Sequence, residues 1–97
     1  EIISVISIPK FFTPNNDTDN EHWIPGGMSR DFQSNATLHI YNRYGKLLIQ
    51  LDPFGAGWNG LHNGNILPTS DYWYTLEFTE NFSGKHRVLQ GHFTLKR

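Results

Sequence analysis

The sequence predicts an all-β domain, an antiparallel immunoglobulin-like β-sandwich of about seven strands. Three observations predict this fold class. Glycine and proline recur too often for a long helix, β-branched and aromatic residues occur in short bursts, and turn-forming residues separate those bursts. The 97 residues are the length of one domain, so residues 1–97 are predicted to form a single unit. The strand-like start of the chain suggests a piece excised from a longer protein.

The first third of the chain contains one predicted strand and two irregular segments. Residues 2–12 are rich in β-branched and aromatic residues and are predicted to form a first strand, which Pro14 closes. Residues 15–20 are predicted to form a loop, because Asn and Asp side chains make turns with their own backbone. Residues 24–34 look irregular, with Pro-Gly-Gly at residues 25–27 as a breaker.

A first hairpin is predicted from two short strands around a glycine turn. Residues 37–42 and residues 46–51 are rich in apolar side chains, and Tyr44-Gly45 supplies the tight turn between them. Because side chains alternate between the two faces of a strand, one face of the second strand carries Leu47, Ile49 and Leu51.

A second hairpin is predicted from the clearest alternation in the chain. Residues 71–79 and residues 87–96 pair through a turn at residues 81–85, which contains Gly84. The apolar positions then share one face: Tyr72, Tyr74, Leu76 and Phe78 on the first strand, and Leu89, Phe93 and Leu95, with Gly91 between them, on the second.

The composition excludes several classes of function. No cysteine is present, which removes thiolate catalysis and zinc–thiolate sites. The net charge of −1 gives no overall attraction to nucleic acid, and the longest apolar stretches are too short to cross a bilayer. The sequence has no nucleophile elbow, no phosphate-binding loop and no histidine pair with metalloprotease spacing. We therefore expect a domain that is not an enzyme, does not bind nucleic acid and has no transmembrane segment.

One loop carries the oxygen donors of a calcium site. Asn15, Asp17, Asp19 and Glu21 alternate in a turn-rich stretch, as the ligands of a hard cation do. The central glycine and the distant bidentate glutamate of an EF-hand are missing. The alternative is an Asx-rich turn whose side chains cap backbone amides. Calcium is the one cofactor that the residues suggest.

Trp58 lies between Gly57 and Asn59-Gly60, a context with two interpretations. Glycines let the backbone turn tightly around a buried ring, and tryptophan is highly buried on average, which favours a core plug. The alternative is a sugar-binding platform, in which exposed faces of Trp58 and Trp73 stack on the apolar face of a carbohydrate.

Five motifs follow one another along the chain. They are Ile-Pro-Lys-Phe-Phe-Thr-Pro-Asn at residues 8–15, Leu-His-Ile-Tyr-Asn-Arg-Tyr-Gly at 38–45, Trp-Asn-Gly at 58–60, Asn-Gly at 63–64 and Leu-Pro at 67–68 followed by Asp-Tyr-Trp-Tyr at 71–74, and Gly-His-Phe-Thr-Leu-Lys-Arg at 91–97. With these motifs, in this order and spacing, the chain resembles the gliding-motility-associated C-terminal domain of Bacteroidetes. This is the type B sorting domain of proteins exported by the type IX secretion system. The resemblance covers about the whole chain, although Asn16 and Thr18 stand where the family usually has glycine.

The resemblance implies a function in protein export. It implies that the folded domain is recognised by the type IX translocon and by outer-membrane shuttle proteins. These would carry a cargo region N-terminal to the domain through the periplasm and across the outer membrane to the cell surface. The alternative is a carbohydrate-binding or adhesive β-sandwich module.

Partner-binding residues are expected mainly on the last strand. No Asp or Glu follows Glu80, so the final strand is basic, and an exposed strand edge there would add to a partner's sheet. The candidates are Lys85, Arg87, Lys96 and Arg97, with exposed parts of residues 15–21. The alternative is that these charges are solvated strand ends that discourage aggregation. Arg43 is a further candidate, although the favoured interpretation is that it pairs with a carboxylate such as Asp71 and stacks on an aromatic ring within the domain.

Overall fold

The computed structural model describes residues 6–14 and 22–96, and within them the chain forms strands and no helix. The strands are β1 (Phe11–Phe12), β2 (Gln33–Tyr41), β3 (Leu47–Leu51), β4 (Leu61–His62), β5 (Asn65–Ile66), β6 (Ser70–Glu80) and β7 (His86–Leu95). The all-β prediction is therefore confirmed. Across the same residues the structure has no helix with the length and hydropathy to cross a membrane.

Five strands form one sheet in the order β1-β7-β6-β2-β3, and β4 and β5 form a separate two-stranded sheet. All neighbouring strands run antiparallel except β1, which runs parallel to β7, with Phe11 opposite Thr94 and Phe12 opposite Leu95. The prediction of an antiparallel sheet is wrong for this pair. Parallel strands need a long connection, and the chain between β1 and β7 supplies it. The two sheets are consistent with a small β-sandwich, and its immunoglobulin-like topology stays a prediction.

The first strand is much shorter than the sequence predicts. Of residues 2–12, residues 2–5 lie outside the described part of the chain, and only Phe11–Phe12 form a strand. Pro9 has no N–H to donate to a strand ladder, so regular pairing weakens there. Before it, Ser7 forms an isolated bridge with Gly26, with N–O distances of 2.9 and 2.7 Å.

Both predicted hairpins are present. β2 and β3 pair around the turn at residues 42–46, β6 pairs with the full length of β7, and β2 also pairs with β6. The two hairpins therefore lie side by side in one sheet. β2 begins at Gln33, inside the segment predicted to be irregular. A register shift between Ser34 and Thr37, where Asn35 has a φ of 52°, explains why alternation is weak there.

The predicted apolar face of β3 is wrong at Leu47. Ile40 lies opposite Ile49, but the next pair is Tyr41 with Leu47, so Leu48 is an extra residue in the ladder. A bulge of this kind moves the residues beyond it to the other face of the strand. Leu47 is accordingly 48% exposed, and Leu48 packs against the core in its place.

The second hairpin supplies most of the core, as predicted. The residues of its inner face are buried or half-buried: Tyr72, Tyr74, Leu76, Phe78, Leu89, Phe93 and Leu95. A Cβ added at Gly91 would lie 3.0 Å from the ring of Tyr74. Glycine at this position therefore leaves room for the tyrosine ring of the neighbouring strand.

Two tryptophans attach irregular chain to the inner face of the sheet. Trp23 and Trp58 form an isolated antiparallel bridge with N–O distances of 2.8 and 2.9 Å. The ring of Trp23 stacks on Phe93 at a centroid distance of 3.9 Å, and the ring of Trp58 meets Phe93 edge-on at 5.9 Å. Both indole N–H groups donate to carbonyl oxygens, Trp23 to Pro9 at 2.8 Å and Trp58 to Leu61 at 3.0 Å. Both rings are buried, so the core-plug prediction for Trp58 is confirmed and its use in a sugar platform is wrong.

Gly57 permits this bridge to form. Its φ is +96°, and a Cβ there would lie 2.8 Å from the main-chain oxygen of Trp23. Gly64 has a similar φ of +80°, yet a Cβ there would meet nothing within 4 Å. An alanine at either position would strain the backbone, but only an alanine at position 57 would also clash with a neighbouring residue.

Gly57→Ala is expected to destabilise the domain more than Gly64→Ala. Each alanine costs about 1–2 kcal/mol, because the left-handed backbone region is unfavourable for an L-residue. The Cβ at position 57 also displaces the tryptophan bridge, which adds roughly 1–3 kcal/mol. Urea unfolding of the two variants and the parent chain measures the difference. Equal losses in the two variants would show that the contact with Trp23 is not a constraint.

Candidate partner-binding surface

The basic residues of the last strand do not form one patch. Lys85 precedes β7 and Lys96 follows it, and both are exposed. The ten residues of β7 place them roughly 35 Å apart at the rise of an extended strand. Arg87 lies near the Lys85 end, and Arg97 lies outside the described residues. A partner that contacts both lysines must follow the whole length of the strand.

Glu80 organises the turn at the first of these ends. Its Oε1 accepts hydrogen bonds from the Ser83 hydroxyl at 2.9 Å and from Nε of Arg87 at 3.1 Å. The Ser83 hydroxyl, and after it the hydrogen bond and charge of Arg87, lower the pKa of Glu80 below the ordinary glutamate value. Arg87 is thus engaged within the turn. Lys85 forms no salt bridge with any residue in the described part of the chain.

At the opposite end, Lys96 lies over an aromatic ring. Its Nζ is 4.8 Å from the ring centroid of Phe11. Phe11 belongs to the edge strand β1 and is 47% exposed. The contact is a cation–π pair at the surface. This end of β7 therefore offers positive charge and exposed apolar area together.

Arg43 has an aromatic partner within the domain, as predicted, but not the predicted carboxylate. Its guanidinium carbon lies 5.0 Å from the ring centroid of Tyr44, and its Nη2 donates to the Tyr44 hydroxyl at 2.8 Å. Asn42 fixes the turn, because its Oδ1 accepts from the main-chain N–H of Tyr44 at 2.9 Å. The predicted pair with Asp71 is wrong, since Asp71 accepts instead from the hydroxyl of Thr94 at 2.6 Å.

A groove of about 420 Å³ opens beside the Arg43 turn. It is lined by Asn42, Arg43, Tyr44, Leu48, Leu67, Pro68, Thr69, Ser70 and Tyr72. The lining contains one cation, but no carboxylate and no histidine that would serve as a general base for its hydroxyl groups. The described lining therefore offers apolar contact area beside one cation.

The calcium prediction concerns residues that the structure does not describe. Asn15, Asp17, Asp19 and Glu21 lie in the segment between residues 14 and 22, so a site there stays a prediction. Among residues 6–14 and 22–96, no three His, Cys, Asp or Glu side chains are grouped closely enough to hold a metal ion.

The long strand β7 has an open edge. β6 covers one side of it along its full length, whereas β1 covers the other side only at Thr94 and Leu95. The N–H of Thr94 donates toward β1, to the oxygen of Lys10 at 2.9 Å. Because main-chain groups of alternate residues point the same way, those of four further residues also point to this side: His86, Val88, Gln90 and His92. No hydrogen bond from a described residue reaches them.

Sequence reasoning anticipated a strand edge near the basic residues but did not identify these main-chain groups. Alternation of side chains shows which face of a strand is buried. Which of its two edges is free depends on strand order, and the parallel docking of β1 at one corner was not predicted. No local pattern in the sequence reports that arrangement.

The outer face of the sheet carries an exposed row of side chains. Tyr41 on β2, Trp73 on β6 and His92 on β7 lie opposite one another in register. Leu47 on β3 extends the row through its pairing with Tyr41. The rings of Trp73 and His92 are 6.0 Å apart, and Trp73 is 39% exposed. Exposed apolar side chains grouped in this way mark a possible contact surface.

Glu80→Gln is expected to lower the thermal stability of the domain at neutral pH and to have less effect in acid. The folded state depresses the pKa of Glu80, so its stabilising contribution is present above the unfolded pKa and is lost as the pH falls through the folded pKa. Asp31→Asn is the control, because the Asp31 carboxylate is exposed and makes no hydrogen bond or salt bridge within the described chain. Melting curves of both variants from neutral to acidic pH measure this. A Glu80→Gln deficit that does not shrink in acid would contradict the assignment.

Comparison with known families identifies the domain. The family model for the CHU_C type IX secretion signal domain matches residues 6–95, which include all seven strands. No curated protein matches the chain. Among solved structures, the chain is similar to PorZ, described as an essential bacterial surface component of the type IX secretion system of Porphyromonas gingivalis.

The likeness to PorZ concerns the fold. It has a TM-score of 0.52 at 18% sequence identity and covers 96% of this chain but only 11% of the PorZ chain. The family match carries the assignment, because it spans the fold from the Ser7 bridge to the last residue of β7. The chain belongs to the CHU_C type IX secretion signal domain family.

Proposed function

We propose that this domain is a sorting signal read in its folded form by the type IX translocon and outer-membrane shuttle proteins. These carry the cargo region that precedes the domain through the periplasm and across the outer membrane to the cell surface. The observation that carries the proposal is the family match over residues 6–95. A type IX secretion signal domain is a non-enzymatic kind of domain, and membership implies export to the cell surface or the extracellular space.

The position of β1 supports recognition of a folded surface over recognition of a linear segment. The first strand of the matched region pairs with the end of its last strand, Phe11 with Thr94 and Phe12 with Leu95. These residues also belong to the first and last motifs of the sequence. They lie next to each other only after the sheet has formed, so a partner that contacts both must read the folded domain.

A second candidate function is carbohydrate binding through the outer face of the sheet. The observation that favours it is the exposed ring of Trp73 within the row of Tyr41 and His92, since exposed aromatic rings stack on the apolar faces of sugars. Trp58 takes no part, because it is buried.

Phe12→Ala is expected to abolish export, and Ile66→Ala is expected to preserve it. The buried Phe12 ring lies 5.7 Å from Trp58 and 6.0 Å from Phe93, so its loss costs about 3–5 kcal/mol and unfolds much of a small domain. Ile66, on β5, is 71% exposed, so its truncation removes no core contact of this kind. A reporter fused ahead of Glu1, expressed with and without the secretion machinery, measures export. Full export of an unfolded Phe12→Ala fusion would rule out folded recognition, and export without the machinery would rule out the sorting function itself.

Trp73→Ala tests the carbohydrate alternative. Titration of the domain with a panel of glycans, followed by tryptophan fluorescence, is expected to show no saturable change if the domain serves only in sorting. A saturable change that Trp73→Ala removes would establish the second function. The buried Trp23 and Trp58 give the background signal that is common to both proteins.

A further inference from the structure

We propose that the open edge of β7, residues 86–92, is the part of this domain that the secretion machinery contacts. It accepts an extended peptide segment with acidic side chains as an additional strand. The inference rests on the proposed sorting function and names the surface and the partner chemistry for it. It is carried by three observations: unpaired main-chain groups, an unprotected edge, and the charges that flank it.

The first observation concerns the main-chain N–H and C=O groups on the side of β7 that faces away from β6. The hydrogen bonds from Thr94 N–H to Lys10 and from Lys96 N–H to Phe12, each 2.9 Å, direct the even-numbered residues of β7 away from β6. Four of these residues have no described strand on that side: His86, Val88, Gln90 and His92. Each has one main-chain N–H donor and one C=O acceptor, so a docked strand would form hydrogen bonds with both kinds of group. Main-chain bonding of this kind gives affinity in β-strand addition.

Of the features that keep sheet edges from pairing, this edge has charged side chains, but among the described residues it has no bulge, no proline and no covering segment. Natural edges are blunted by bulges, prolines, short strands or covering segments. β7 has no proline, and it pairs with β6 from Ser70 and Leu95 to Thr79 and His86 without a register shift. The other edge of the sheet differs, because β3 has five residues and its ladder is interrupted by the bulge at Leu48. One edge is protected and the other is open.

The open stretch is long enough for a specific contact. Residues 86–92 extend over roughly 23 Å at the rise of a β-strand. Val88 is 46% exposed on the outer face of this stretch. It offers one apolar side chain against which an apolar side chain of the incoming strand packs.

Charge decides which strand fits. Residues 81–96 contain Lys85, Arg87 and Lys96 and no carboxylate. The neighbouring carboxylates are already engaged, Glu80 by Arg87 at 3.1 Å and Glu77 by His86 at 3.3 Å. The lysines lie at the two ends of β7, so an incoming strand is favoured when it carries carboxylates toward its own ends. A second copy of this chain would bring the same cations to the edge, which disfavours self-pairing.

Gln90→Pro against Gln90→Ala tests the edge. Proline removes the N–H that points outward, whereas alanine removes the side chain and keeps that N–H, and proline is tolerated on an edge strand whose N–H faces solvent. The fusion reporter described above measures export, and thermal melting of the purified chain confirms that each variant is folded. We expect folded Gln90→Pro to be exported at least tenfold less than folded Gln90→Ala.

Equal export of folded Gln90→Pro and Gln90→Ala overturns the inference but leaves the sorting function standing, because the parent fusion is still exported. Failure of the parent fusion itself overturns the sorting function. If Gln90→Pro does not fold, Val88→Pro against Val88→Ala repeats the comparison at a position farther from Gly91, where the backbone packs closely against Tyr74.

Lys85→Glu against Lys46→Glu tests the partner chemistry. Both lysines are exposed, but Lys46 lies in the β2–β3 turn on the other side of the sheet. An acidic partner strand predicts that Lys85→Glu lowers export severalfold and that Lys46→Glu does not. Equal effects overturn the acidic assignment. Sedimentation of the parent chain is expected to give a monomer, and a dimer that Gln90→Pro dissociates would show that a second copy occupies the edge instead.

Discussion

The main-chain bridge between Trp23 and Trp58 is the interaction on which the rest of the structure depends. Its two hydrogen bonds join segments that have no regular secondary structure, and both indole rings lie on Phe93 at the centre of the sheet. Phe12 packs against Trp58, and Tyr74 packs against Trp23. The rings therefore connect the irregular layer to β1, β6 and β7 in a single cluster.

This arrangement compensates for the small size of the domain. A chain of 97 residues buries a limited fraction of its surface, and no disulfide is available to constrain its loops. Aromatic side chains bury the largest area per residue. The indole N–H groups are satisfied by the carbonyl oxygens of Pro9 and Leu61, so burial of these rings leaves no unpaired donor.

Sequence reasoning succeeded where side chains alternate and failed where tertiary pairing sets the structure. The two hairpins and the inner face of Tyr72, Tyr74, Leu76 and Phe78 follow from alternation, and the burial of Trp58 follows from the glycines around it. The bulge at Leu48 inverted the predicted face of Leu47, because one extra residue changes the parity of a strand. The parallel partner of β1 is distant in the sequence, and so no local pattern indicates it.

The candidate site was predictable only in part, for the same reason. The basic residues around β7 are visible in the composition of the last strand, but their separation by the length of that strand is a property of its extended geometry. Arg43 was expected to pair with Asp71, yet the Asp71 carboxylate accepts a cross-strand hydrogen bond from the hydroxyl of Thr94 on the adjacent strand. The extended geometry of β7 sets the distance between the basic residues, and the register between β6 and β7 sets the partner of Asp71.

The position of β7 in the sheet determines how late in synthesis the domain can complete its fold. β7 comes last in sequence among the described strands, but it lies between β1 and β6 and not at the margin of the sheet. A ribosome that has synthesised the chain only as far as β6 has made a sheet whose β1 has no neighbour and whose Trp23 ring has no Phe93 to stack on. Non-local pairing of this kind is slow and is completed late. A chain interrupted before β7 therefore cannot present the finished surface, because both the partner of β1 and the ring that stacks on Trp23 are missing.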